Sequence, residues 1–201
     1  MLRQIVWLLG VGLTALAGCQ LVAATAPAAA PTILATPAAR DAAGDWAALE
    51  QRPVRLPVLK SGAPCPVSPA ARVSNFQVLG TGPIYLVAYS PLGYGGSAEV
   101  DGWRVQKAPW LSAPSFGSYA LLRGRRLDGP EGLRFQRGGA EATGLLSELR
   151  FPVTTGISSP DLEPGWRFQS GALGFQAPGC YGVQVDGPDL NATIVFEATA
   201  G

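Results

Sequence analysis

The side chains able to do chemistry are few, and their types narrow the field. The 201-residue chain has no histidine. That removes the Ser-His-Asp and Cys-His arrangements of nucleophilic catalysis and the commonest metal ligand. The one methionine is the initiator, so no copper site of the His/Cys/Met kind can form. The three cysteines, Cys19, Cys65 and Cys180, lack zinc-site spacing. Gly93–Gly96 is glycine-rich but lacks the Lys-Ser/Thr ending and following helix of a phosphate loop. Carboxylates could act in pairs, as in glycoside cleavage: Glu99 with Asp101, Asp128 with Glu131, or Asp161 with Glu163. Each pair sits in a Gly/Pro-rich stretch, where acids are ordinarily solvated turn formers. Calcium ligands at Asp128–Glu131 or Asp186–Asn191 are too sparse to define a site. A Ser-Lys dyad would need Lys60 with Ser61, or Lys107 with Ser112. The expectation is no catalytic residue, no metal and no cofactor.

Recognition is better supplied than catalysis. Arg123, Arg125, Arg126, Arg134 and Arg137 form the one basic concentration. They read either as solvated strand edges that deter edge pairing or as a patch for an anionic envelope polymer or lipid headgroups. Trp103, Trp110, Phe116 and Tyr119, with the loop from Tyr89 to Tyr94, read either as core or as a stacking surface for sugar or peptide. The candidate ligand surface is therefore Trp103, Trp110, Tyr119, Arg123, Arg125 and Arg126. With 15 basic and 14 acidic residues, the chain has no charge excess of the kind that binds nucleic acid.

Something must place these residues in a compartment. Met1–Gln4 carries a single charge, Arg3, and Ile5–Ala15 is uncharged and mostly apolar. That run suits the hydrophobic region of a signal peptide and is short for a membrane-spanning helix, which needs about 20 apolar residues. Leu16-Ala17-Gly18-Cys19 follows. This tetrad resembles the lipobox of bacterial lipoproteins. The resemblance implies cleavage after residue 18, a diacylglyceryl thioether on Cys19, and a stable membrane anchor, since several acyl chains hold where one does not. An ordinary cleaved signal and an uncleaved anchor are the alternatives. With Cys19 given to lipid, Cys65 and Cys180 remain as an even pair in an exported, oxidising setting and are expected to bond. The alternative is two buried free thiols.

The organisation expected is a signal peptide over 1–18, a lipidated Cys and spacer over 19–44, and one domain over 45–201. The spacer is Ala/Pro/Thr-rich with no hydrophobic period, and reads as disordered. Asp45–Arg52 reads as a capped helical turn stopped by Pro53, and Val54–Leu59 as an edge strand. Short β runs with Gly/Pro punctuation then recur. They are Val73–Leu79, Ile84–Tyr89 as a central strand, Trp103–Leu111, Ser118–Arg125, Leu133–Arg137, Gly144–Phe151 and Gly165–Gln169. Ser90–Asp101 reads as a loop. Cys180–Val185 and Thr193–Ala198 form a closing hairpin across Asp186–Asn191. This pattern predicts an all-β antiparallel sandwich, Ig-like in type, with a closed barrel as competitor.

Cys65-Pro66-Val67-Ser68, Leu79–Tyr85, Leu122–Gly129 and Pro178–Gly187, in that order, are similar to a family of uncharacterised secreted or lipid-anchored all-β bacterial domains. The resemblance spans roughly Trp46–Ala198. It implies an exported domain with a paired Cys near each end and carries no activity. The function expected is a lipid-anchored, extracytoplasmic, non-enzymatic domain, held to the cell or outer membrane through acylated Cys19. Its partner would be an unknown envelope protein or polysaccharide. A carboxylate-dependent hydrolase of envelope polysaccharide and a solute-binding lipoprotein are the alternatives.

Overall fold

The computed structural model describes residues 45–138, 144–153 and 156–201. The expected signal peptide, Cys19 and the expected spacer lie outside the described residues.

The first described element is α1, Trp46–Glu50. Asp45 caps it, its Oδ1 accepting the Ala48 N–H at 3.0 Å. Leu49 is buried, and Pro53 follows within three residues of the helix end. Fourteen strands follow among the described residues. They are β1 (Ala70–Val73), β2 (Phe76–Leu79), β3 (Ile84–Val87), β4 (Leu92–Gly93), β5 (Ala98–Val100), β6 (Trp103–Lys107) and β7 (Trp110–Ser112). Then come β8 (Ala120–Arg126), β9 (Arg134–Arg137), β10 (Glu148–Phe151), β11 (Arg167–Gln169), β12 (Gly171–Phe175), β13 (Gly179–Gly187) and β14 (Leu190–Thr199). They sort into three ladders, in the orders β1-β2-β3-β7-β11, β10-β8-β13-β14-β4 and β5-β6-β12-β9. Every pairing is antiparallel except that of β14 with the two-residue β4. The fold is all-β and sandwich-like. Inward residues of all three ladders meet in one core, including Leu86 and Trp110 from the first, Tyr181 and Phe196 from the second, and Phe135 and Phe175 from the third. Phe175 sits at the centre of its rings, edge-on to Tyr181 at 5.1 Å and stacked on Tyr94 at 5.1 Å.

Several expected strands are cut differently. Val73–Leu79 is not one strand: Ser74, at a φ of 50°, turns the chain between β1 and β2. Trp103–Leu111 divides at Ala108-Pro109, and β6 and β7 join different ladders. Pro109 has no N–H to give a ladder, but its carbonyl accepts from Val87 at 2.8 Å. The loop expected over Ser90–Asp101 contains β4 and β5. Strand β12 was not expected at all. The closing hairpin is tighter than expected, its ladder running to Gly187 opposite Leu190.

The largest difference lies at Val54–Leu59, which forms no strand. Pro53 and Pro57 interrupt the donors a ladder needs. Together with Arg52 and Pro53 before it, the segment instead lies as a strap on the outer face of β8 and β13, bound mostly through side chains. The Arg55 N–H donates to Gln184 Oε1 at 2.6 Å, and Gln184 Nε2 donates to Pro53 O at 3.1 Å. Leu56 is buried in a second, smaller cluster with Leu127, Cys180 and Val195. The Cys65–Cys180 disulfide closes beside it. Strand β13 is consequently buried on both faces. Tyr181, Val183 and Val185 point to the main core, and Gln184 and Asp186 lie beneath the strap.

Candidate functional site

The arginines of the candidate surface are occupied within the domain. Strand β8 presents Arg123 and Arg125 to the strap. Arg123 donates to the carbonyls of Glu50 at 3.2 Å and Arg52 at 2.8 Å, and to Asp186 Oδ2 at 2.7 Å. Arg125 donates to Leu56 O at 2.8 Å. Arg126 is held by Asp128 at 2.7 Å and Glu131 at 2.9 Å. Asp186 itself is fully buried and takes further bonds from Gln184 and Asn191. A guanidinium bonded to carbonyls and a buried carboxylate positions chain and offers little to a polyanion.

The aromatic members of that surface do not join the arginines. Trp110 is fully buried in the main core, so it presents no surface. Trp103 is half-buried under the Arg134 guanidinium, whose carbon lies 5.3 Å from the ring centre. Tyr119 meets Trp46 edge-on at 5.0 Å and accepts the Asp45 N–H at 3.2 Å. These rings seat α1 and β6 on the sheets.

The acid pairs separate by chemistry. Asp128 and Glu131 do converge, but on Arg126. Burial would raise the Asp128 carboxyl; hydrogen bonds from Arg126 and from the Cys180 N–H at 3.1 Å outweigh it and hold it below the ordinary range. A general acid needs the opposite shift. Glu99 pairs with Arg104 at 3.4 Å on an exposed surface, and Asp161 and Glu163 lie in a turn. Among the described residues, no group of three or more acids or cysteines is placed to hold a metal.

An open groove of about 430 Å³ lies where the end of β3, the loop into β4 and the end of β6 meet. Asn75, Gln77, Tyr89, Gln106 and Lys107 line it, over an apolar floor that includes Val87 and Leu92. A second depression adjoins it, sharing Asn75, Gln77 and Tyr89 and adding Arg72. Tyr89 is 68% exposed, the most exposed aromatic ring of the described residues. The alternation that buries Leu86 and Ala88 in β3 and its extension turns Tyr89 outward. The sequence marks the loop from Tyr89 to Tyr94 as a stacking candidate, but not Asn75, Gln77 or Gln106. Isolated amides between hydrophobic runs look like turn or strand polarity until the ladders bring them together.

No protein-family model matches the chain, and no curated protein does. Among solved structures, a chain from Bacillus anthracis provisionally described as a lipoprotein is similar at 12% identity, with a TM-score of 0.43. The likeness covers 69% of this chain and 88% of that one. At that level it carries no argument about the role of this chain.

Proposed function

We propose that the protein is an exported, lipid-anchored envelope protein whose β-sandwich makes non-enzymatic contacts with an envelope polymer. The observation that carries this reading is the tetrad Leu16-Ala17-Gly18-Cys19 placed directly after a charged start and an apolar run. The Cys65–Cys180 bond supports it, because such bonds persist in oxidising compartments. The lack of histidine and the commitment of Asp128 and Glu131 to Arg126 support binding over catalysis. The groove beside Tyr89 is the contact surface under this reading. The test is membrane fractionation of wild type and Cys19→Ala, with and without globomycin. Wild type is expected in the membrane fraction with an acylated N-terminal cysteine, and the variant is expected to lose the acyl mass. Equal, unlipidated products from both would end the proposal.

A further inference from the structure

The groove's composition names a class of ligand. A tyrosine ring stands out into solvent in a groove that Phe76 also lines. Rings of this kind stack on the apolar faces of sugars and peptides alike. Around it lie the side-chain amides of Asn75, Gln77 and Gln106. An amide offers a donor and an acceptor side by side, which matches neighbouring hydroxyls on a sugar ring. Gln106 Oε1 is bonded to Ser97 Oγ at 2.7 Å, and its NH₂ makes no bond among the described residues. The charges complete the pattern. Arg123, Arg125, Arg126 and Arg150 are bonded to acids or carbonyls elsewhere. At this site, Lys107 has no ion pair among the described residues, and Arg72 uses only Nε, bonded to Ser74 O at 3.2 Å. Among the described residues, neither depression is lined by Asp or Glu. Two exposed cations with no acid among the lining residues make a local positive field in a chain that is otherwise nearly neutral.

We infer that the joined depressions bind a stretch of acidic polysaccharide, a chain of sugar rings bearing carboxylate groups. One ring stacks on Tyr89, and Lys107 and Arg72 meet carboxylates of the chain on either side of it. This deepens the envelope-display reading and rests on it for the supply of such a polymer. Affinity falls with added salt, because attraction between solvent-exposed charges is screened by ions, with a Debye length of about 10 Å at 0.1 M.

The experiment uses the full chain in detergent micelles, with binding measured by calorimetry. Three probes of similar length are compared: polygalacturonate fragments, uncharged dextran and poly-glutamate. Polygalacturonate should bind, and dextran and poly-glutamate should bind at least about tenfold more weakly. Tyr89→Ala should weaken polygalacturonate binding about tenfold, Tyr89→Trp should keep it, and Lys107→Glu should lower both affinity and salt dependence. These side chains are exposed, and an unchanged circular-dichroism melt identifies folded variants. Equal binding of poly-glutamate would overturn the proposal in favour of a peptide or simple charge. Equal binding of dextran would overturn the acidic requirement, and indifference to Tyr89→Ala would overturn the site. The assay uses purified protein. A failed binding result with Cys19 acylated therefore sinks this inference alone, and a failed fractionation sinks the envelope reading alone.

Discussion

At the scale of single residues, polar groups inside the domain explain more than its surface charges do. Asp186 has no exposed side-chain area, and its partner Arg123 has 13%. A buried pair gains little over an apolar pair, but removing one partner leaves the other charge uncompensated, at a cost of about 3–5 kcal/mol. Asp186→Ala is therefore expected to lose stability on that order in urea unfolding. It should also loosen α1, because Arg123 holds the carbonyls of Glu50 and Arg52. Three other groups make stability depend on pH. The folded Asp128 carboxyl lies below its ordinary value. Its contribution is complete above the unfolded value near 4 and is lost as pH falls through the folded one. Burial raises the Tyr181 hydroxyl to about 12 and raises Tyr94 in the same direction. Stability from Tyr181 is complete below its unfolded value of 10.0 and drains away as pH rises toward about 12. Unfolding midpoints followed across pH should fall at both ends. Asp128→Asn should flatten the acid limb, and Tyr181→Phe should reduce the alkaline one.

At the scale of elements, two devices fasten the segment before β1 onto the face of β8 and β13, and only one could be read in advance. The disulfide was legible, because two cysteines remained once Cys19 was assigned to lipid. It closes a loop of 115 residues, worth roughly 4–5 kcal/mol in the chain-entropy account. Replacing Cys65 and Cys180 by Ser together should lower stability on that order, measured in urea against wild type. The strap is not legible in the same way, because Val54–Leu59 has the apolar content of an edge strand. What decides its fate is Gln184 and the arginines of β8, more than sixty residues away in the chain, which take up its backbone groups. Strand β12 escaped notice for a related reason. Gly171, Ala172 and Gly174 leave only Leu173 and Phe175 to signal alternation. The tyrosine groove was half legible: the ring could be seen in the sequence, but its amides come from separate elements. Close approach also explains one glycine. A Cβ at Gly124 would lie 2.6 Å from Leu133 Cδ2 and 2.9 Å from Gly182 O. Because the backbone oxygen cannot swing away, Gly124→Ala should cost about 1–3 kcal/mol by overpacking.

At the scale of the whole molecule, the strap decides where the folded domain begins. If 19–44 is a spacer, as its Ala/Pro/Thr content suggests, protease should find it before it finds the sheets. The strap carries no ladder, yet Arg52 donates to Gly187 O at 2.6 Å and Leu59 donates to Leu127 O at 2.7 Å. The fold should therefore protect the chain from about Asp45, well before the first strand. Limited proteolysis of the detergent-solubilised full chain, read by N-terminal mass, is expected to leave a resistant fragment starting near Asp45. Asp186→Ala should move that start toward Cys65, because the hold on Glu50 and Arg52 is lost while the disulfide still fixes the strap's far end. A wild-type fragment beginning beyond Leu59 would show that the strap is a passenger. The outer face of β13, with Gln184 and Asp186, would then have to be covered by something else.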